Sequence, residues 1–307
     1  MTPVTQITLE INGENRSLVV TEDQSLLRVL RDAGYFGVKY GCGSGECGMC
    51  TVLIDGKPVK SCIVKAVNAE GKKITTIEGL SKDGKLDPVQ DAFIETGAMQ
   101  CGFCSPALIL SAKALLDKNT SPTVQEIRKA LNPVLCRCTG YVRAVNAVQR
   151  AAARIRGENL DPYIHIENEL PETDSEISLP EAYLRKDGIL DPLPPLVFSP
   201  PSMPKTKVVG KALKKKDANK LAQGKPVYTD DFRLPGMLYG ELLTSPHAHA
   251  RIRSIDASKA RELDGVRAVL TFQDIPRIKY ASGGQSYPQP FPYDQVSLDC
   301  KVRHVGD

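Results

Sequence analysis

The chain has no tryptophan, and aromatic residues make up only 6% of its 307 positions. Proteins that bind single-stranded nucleic acid stack the bases on aromatic side chains, so this composition indicates no such surface. The formal net charge of +4 is small, and the Lys214–Lys216 run is most simply an exposed turn. We therefore expect no nucleic-acid partner.

Long hydrophobic runs are also missing. No apolar stretch approaches the ~18 residues that a membrane-spanning helix needs, and no apolar signal segment opens the chain. These absences predict a protein without a membrane span that works in the reducing cytoplasm, where disulfides are rare. The length predicts two or three domains.

Cysteine, in contrast, is frequent, and eight of the nine cysteines form two quartets. The first quartet has the spacing C-x4-C-x2-C-x11-C, which is typical of a plant-type [2Fe-2S] site. Glycines alternate through its loop and allow the backbone to approach a cluster closely. A structural zinc site is the alternative, although paired C-x2-C motifs are more common there. The ligands predicted for this first cluster are Cys42, Cys47, Cys50 and Cys62.

The second quartet combines a C-G-F-C motif with a later C-R-C motif. Both motifs lie at the ends of predicted helices, where unpaired N–H groups and partial positive charge favour an anionic group. This arrangement predicts a second [2Fe-2S] cluster. Its ligands would be Cys101, Cys104, Cys136 and Cys138.

Residues 4 to 80 predict a small β-grasp domain. Val4–Ile11 and Ser17–Thr21 alternate as the strands of a hairpin, and Ser25–Ala33 carries a helical leucine stripe. A second hairpin, formed by Thr51–Ile54 and Lys57–Cys62, would place the fourth cysteine of the first quartet on a strand.

The following region predicts a bundle of four helices, with prolines near the helix starts. Ser105 and Thr139 follow cysteines directly and are candidate N-caps. The predicted helices are Asp87–Met99, Ser105–Lys118, Thr123–Leu131 and Gly140–Arg156.

Three motifs, at residues 41–51, 100–106 and 136–141, resemble those of the molybdenum hydroxylases, the family that contains xanthine dehydrogenase and aldehyde oxidoreductase. The resemblance implies that the second cluster lies beside the pterin of a molybdenum cofactor. It also implies that Gln100 and Cys138 contact this pterin. The family usually has glycine where this chain has Ala107, a small change that leaves the ligands untouched.

The last hundred residues resemble the opening of the family's molybdenum-binding region and include alternating strand patterns at Leu238–Leu243 and Arg267–Phe272. The pterin-holding loops and the active-site glutamate come later in that family. We therefore assign no catalytic residue, and expect a truncated product, a split gene product or one subunit of a complex.

Two further features of this region have ordinary explanations. His247 and His249 alternate as a metal pair on a strand would, but they lack a nearby third ligand, so a packing role is the better expectation. Cys300 has no partner cysteine left and is predicted to be a plain thiol.

The predicted class is α+β. A plant-type β-grasp domain spans 1–82, a helical [2Fe-2S] domain 83–157, a proline-rich connector 158–207, and an incomplete α/β hammerhead-like domain 208–307. The connector is too short to hold a flavin domain. The layout therefore resembles that of aldehyde oxidoreductases that lack flavin.

The predicted function is electron transfer within an aldehyde- or xanthine-oxidising molybdenum enzyme. Electrons would pass from a molybdopterin site, held by a molybdenum-binding subunit or the remainder of the polypeptide, through both clusters. The acceptor would be a ferredoxin, a flavodoxin or a flavin subunit. A stand-alone ferredoxin-like carrier and a zinc-stabilised binding module are the alternatives.

Overall fold

A computed structural model describes residues 3–160, 213–281, 293 and 295–307. The chain forms two compact units, Met1–Arg233 and Leu234–Asp307. Of the proline-rich connector predicted at 158–207, all but the first three residues lie outside the described part.

The first unit begins with a mixed five-stranded sheet in residues 3–82, which we call the sheet lobe. Its strand order is β2-β1-β5-β3-β4, and only the β1–β5 pair is parallel. Helix α1, Leu26–Asp32, starts at Ser25, whose hydroxyl accepts a hydrogen bond from the Arg28 amide. The strands are β1 Val4–Ile11, β2 Glu14–Thr21, β3 Thr51–Ile54, β4 Lys57–Lys60 and β5 Lys73–Thr75.

The predicted β-grasp arrangement is confirmed, with two differences. Strand β5 was not predicted, because three residues are too few to show a clear alternation. The prediction that Cys62 lies on a strand is wrong: β4 ends at Lys60, and Cys62 lies in the 3-10 turn Ser61–Ile63. The Ser61 amide and hydroxyl both bind the Cys50 carbonyl, which turns the chain back toward the cysteine loop.

Four helices form the second part of this unit, residues 83–160, which we call the helical lobe. Ten of the twelve residues of α3 are buried, since the other helices and strand β3 pack around it. The predicted helices are confirmed with slightly shorter bounds. They are α2 Pro88–Glu95, α3 Ser105–Leu116, α4 Val124–Leu131 and α5 Tyr141–Ile155.

Neither candidate hydroxyl cap is an N-cap. Cys104 holds that position for α3 and Gly140 for α5. Ser105 is already the first helical residue, and Thr139 adopts a positive φ of 56° just before the cap. The predictions failed because each loop enters its helix one residue away from the hydroxyl.

The chain then packs again on both lobes through residues 213–233, which we call the returning segment. Its helix α6, Ala218–Ala222, buries three apolar side chains in the core of the helical lobe. The buried Gln90 side chain donates a hydrogen bond of 2.7 Å to the Ala222 carbonyl. The returning segment is therefore part of the first unit's core.

Asp231 fastens the returning segment to the sheet lobe. Its side chain is 1% exposed, and its Oδ2 accepts from Lys39 Nζ at 2.7 Å while Oδ1 accepts from Arg31 Nη2 at 3.2 Å. Burial alone would raise the pKa of Asp231, but the Lys39 hydrogen bond and charge hold it below the usual value. The Lys39 and Arg31 side chains are also buried, so the Asp231 carboxylate is needed to compensate their positive charges.

The second unit has short paired strands: β6 Ala250–Arg251 pairs with β9 Lys301–Val302, and β7 Lys279–Tyr280 pairs with β8 Gln295–Val296. A short helix, α7, spans Ser258–Glu262. The strands predicted at Leu238–Leu243 and Arg267–Phe272 are wrong. Neither segment pairs with another strand within the described residues. An alternating sequence is not sufficient for a strand, because a strand also needs a hydrogen-bonded neighbour.

Helices that combine the length and apolar character needed to cross a membrane do not occur in the described ranges.

We expect Asp231→Asn to lower the free energy of unfolding by about 3–5 kcal/mol, because it leaves two buried cations without their carboxylate. Asp230→Asn is the matched control. Asp230 also contacts Arg31, but its side chain is 74% exposed, so its loss should cost about 0–1 kcal/mol. Urea unfolding of the parent and both variants measures this difference, and equal losses would contradict it.

The ion pair between Asp231 and Lys39 also predicts how the free energy of unfolding depends on pH. The pKa of Asp231 is lower in the folded state than the ~3.9 of the unfolded chain. Its contribution to the free energy of unfolding is therefore fully present above the unfolded pKa and is lost as the pH falls through the folded pKa. The stability gap between the parent and Asp231→Asn should therefore narrow as the pH falls through this acid range.

Candidate metal centres

The first quartet forms two pairs of sulfur atoms, which we call the first thiol group. The Cys42 amide donates to Cys47 Sγ at 3.3 Å, and the Cys47 amide donates back to Cys42 Sγ at 3.4 Å. The other pair joins Cys50 to Cys62, whose amide donates to Cys50 Sγ at 3.4 Å. The glycine-rich loop thus folds around its own sulfurs, as the spacing predicts.

The second quartet also forms two pairs, which we call the second thiol group. Cys101 lies next to Cys138 and Cys104 next to Cys136, close enough for the members of each pair to shift one another's pKa. The Cys136 amide donates to Tyr141 Oη at 2.7 Å, so α5 fixes the C-R-C motif. The geometry therefore brings together the four predicted residues from two separate loops.

This pairing distinguishes the kind of metal site. Across the described ranges, no three His, Cys, Asp or Glu side chains are grouped so that they could hold one metal ion. A [2Fe-2S] unit has a different requirement, because each of its two irons takes two of four thiolates. Two pairs per group fit that requirement.

The pKa values of the thiols differ within each group. Hydrogen bonds from the Cys47 and Ser44 amides lower the pKa of the exposed Cys42 to about 5, whereas burial raises the pKa of Cys50 to about 11. Hydrogen bonds from Cys101 lower the pKa of Cys138, and burial raises that of Cys104. Each group therefore offers one thiol with a lowered pKa and one buried thiol that must lose its proton when metal binds.

The surroundings of the second thiol group also fit an anionic cluster. Ser105, next to Cys104, is 1% exposed, and its hydroxyl has no hydrogen-bond partner in the structure. Buried hydroxyls normally have partners. A sulfur-rich group at the N-terminus of α3 would provide an acceptor there and would benefit from the helix dipole.

The two thiol groups are connected by one short stretch of backbone. The Leu135 amide, next to Cys136, donates to the Cys47 carbonyl at 2.9 Å. Gly48 permits this approach, because a Cβ at that position would lie 2.1 Å from the Pro133 carbonyl oxygen. A single hydrogen bond therefore links Cys47 of the first thiol group to Leu135, which is next to Cys136 of the second.

Gln100 and Cys138, the candidate pterin contacts, lie close to one another. Gln100 is exposed, and its Nε2 is 3.1 Å from where a Cβ on Gly140 would be, two residues after Cys138. Gln100 also lines a surface pocket with Arg143 and Lys214. This edge of the helical lobe is thus open to an external group that accepts hydrogen bonds.

The remaining candidates do not form a site. His247 and His249 are exposed and lie in bends, so the expected packing role is not seen in the described residues. Cys300 is free and exposed. Sequence reasoning missed the roles of Arg31 and Lys39, because a single basic residue on a helix or loop carries no signal of a partner nearly 200 positions away.

Cys104→Ser tests whether the thiol groups are independent. It should abolish the electron paramagnetic resonance (EPR) signal of one [2Fe-2S] cluster and spare the other, because the first group shares no cysteine with the second. Cys300→Ser is the matched control and should preserve both signals, since Cys300 lies outside both groups. Equal loss of both signals in Cys104→Ser would contradict two separate sites.

Comparison with known protein families gives three matches along the chain. Residues 9–76 match a 2Fe-2S iron-sulfur cluster binding domain, and residues 76–149 match a [2Fe-2S] binding domain. Residues 223–307 match the a/b hammerhead domain of aldehyde oxidase and xanthine dehydrogenase.

Two curated relatives show different extents of similarity. The nicotinate dehydrogenase small FeS subunit of Eubacterium barkeri is 50% identical over 149 residues, which are 48% of this chain and 95% of that subunit. The aldehyde oxidoreductase of Megalodesulfovibrio gigas is 35% identical over 98% of this chain, which spans only 31% of that protein.

A solved structure shows the same extent of similarity as the second relative. The aldehyde oxidoreductase from Desulfovibrio desulfuricans ATCC 27774 matches 97% of this chain with a TM-score of 0.74 and 34% identity, over 30% of its own length. The chain therefore matches nearly all of a small iron-sulfur subunit and about a third of an aldehyde oxidoreductase.

Proposed function

Because the chain belongs to the molybdenum hydroxylase family, we propose that it is the electron-transferring iron-sulfur portion of an enzyme of the aldehyde- or xanthine-oxidising type. The two thiol groups would each hold one [2Fe-2S] cluster, which supplies one-electron transfer. The protein's own contribution is to place and tune these groups. The observation that carries the proposal is the arrangement of eight cysteines as two sets of two pairs.

The proposed direction runs from the second thiol group to the first. Gln100 is exposed at the edge of the helical lobe and Cys138 is half-buried, and both could contact the pterin of a molybdenum cofactor held by a partner chain or by further polypeptide. In the first thiol group, Cys42 is exposed on the loop of the sheet lobe. An external acceptor, such as a ferredoxin, a flavodoxin or a flavin subunit, would bind there.

Residues between the groups support this route. The hydrogen bond from the Leu135 amide to the Cys47 carbonyl joins the two groups through backbone atoms. Cys136 is buried and Cys47 is half-buried at this junction. The chain thus holds the two groups in a fixed relation.

The proposed location is the cytoplasm. None of the described cysteines forms a disulfide, and a reducing compartment would keep the eight thiols free to take up iron.

Elemental analysis tests the proposal. The purified chain should contain about four irons and four acid-labile sulfides, two of each per thiol group. Zinc without labile sulfide would contradict it and would favour a structural metal site. Stable co-purification with a molybdenum-containing protein would separate an enzyme component from a stand-alone carrier.

Gly48→Ala tests the junction between the groups. The new Cβ would clash with the Pro133 backbone, so the hydrogen bond to Leu135 should lengthen and electron exchange between the groups should slow. Gly71→Ala is the matched control. Its φ of 68° is close to the 69° of Gly48, but a Cβ at Gly71 would have no atom within 4 Å.

Rapid-freeze EPR after partial reduction measures how the electron redistributes between the two signals in these variants. Slower exchange in Gly48→Ala alone is the expected result. Equal rates in the two variants would show that the junction is not the route.

A further inference from the structure

The returning segment contacts every residue between the first two cysteines of the second thiol group. Leu221 of α6 lies over Gly102, where a Cβ would come within 2.5 Å of the leucine Cδ1. The Tyr228 ring packs edge-on against Phe103, with centroids 5.2 Å apart and planes at 78°. The Cys101–Cys104 loop is therefore covered by residues more than a hundred positions away in the sequence.

Tyr228 also contacts a cysteine of the group directly. Its hydroxyl donates a hydrogen bond of 2.7 Å to the Cys101 carbonyl oxygen. The positive end of the O–H dipole thus points toward the backbone of a proposed iron ligand. Hydrogen bonds to a cluster's sulfurs raise its reduction potential because they stabilise the more negative, reduced state, and an O–H dipole aimed at a ligand's carbonyl acts in the same direction through space.

The position of Tyr228 is fixed from the sheet lobe. The Tyr228 amide donates to Asp231 Oδ2 at 3.3 Å, and the same oxygen accepts from Lys39. The Lys39 ammonium also lies 4.6 Å from the centre of the Tyr228 ring, within the range of a cation–π contact. Lys39 comes three residues before Cys42, so Tyr228 lies between the loops of the two thiol groups.

These contacts exceed what core packing requires. An apolar side chain would cover Phe103 equally well, whereas the hydroxyl adds a directed hydrogen bond to one cysteine. Leu221, on the same segment, covers the loop without such a bond. The hydroxyl of Tyr228 is therefore the part of the returning segment that can influence electron affinity.

We propose that Tyr228 is a positioning residue for the second thiol group. It holds the Cys101–Cys104 loop against the helical lobe, and its hydrogen bond to Cys101 raises the reduction potential of the cluster bound there. This inference rests on the proposed function, because it requires a cluster in that group. Tyr228 comes after the connector in the sequence, whereas all four ligands of the second cluster come before it. The region after the connector would therefore help to tune that cluster.

Tyr228→Phe in the full chain removes the hydroxyl and keeps the ring. Iron and sulfide contents should match those of the parent. In a redox titration followed by EPR, the midpoint potential of the second cluster should become more negative, while that of the first stays unchanged. The Cys104→Ser variant, which lacks the second cluster's signal, identifies which signal belongs to which group.

Tyr35→Phe is the matched control. It removes a half-buried tyrosine hydroxyl of the sheet lobe, which pairs with Arg16 and touches neither thiol group. Both potentials should stay at their parent values in this variant.

The possible results separate the inference from the proposed function. Selective loss of iron from the second group in Tyr228→Phe would overturn the inference, because the hydroxyl would then be needed to assemble the cluster rather than to set its potential. Unchanged potentials, or equal shifts of both, would overturn the inference and leave the proposed function standing. A parent protein without iron and sulfide would overturn both.

Discussion

The backbone junction between the two thiol groups is the constraint on which the rest of the first unit depends. A single hydrogen bond joins Cys47 to Leu135, and it forms only because Gly48 has no side chain. The sheet lobe and the helical lobe therefore approach closely at this junction, beside the core that α3 shares with strand β3. The buried α3 and the Asp231 ion pairs hold the lobes at that point.

Much of this arrangement could be predicted from sequence, because the information is local. The spacing of the cysteines reflects how a short loop wraps a cluster, and hairpin turns and leucine stripes define the elements around it. The predictions failed where a single residue decides a boundary. Cys62 lies in a turn rather than on the predicted strand. The N-caps of α3 and α5 are one residue away from the expected hydroxyl residues.

The rest could not be predicted, because it depends on contacts between distant positions. Asp231 lies about 200 residues from Arg31, and neither residue has a pattern that points to the other. Tyr228 reaches Cys101 across 127 positions. In the second unit, alternation at Leu238–Leu243 indicated a strand, yet a strand also requires a neighbour, which the pattern does not contain.

The central claim is that one chain holds two independent [2Fe-2S] clusters, each on two pairs of thiolates. Quantitative EPR of the fully reduced chain tests it most directly, since each cluster takes up one electron and becomes paramagnetic. Two independent clusters should give two distinct signals that each integrate to about one spin per chain. A single signal of about one spin in protein that contains its full iron would contradict it.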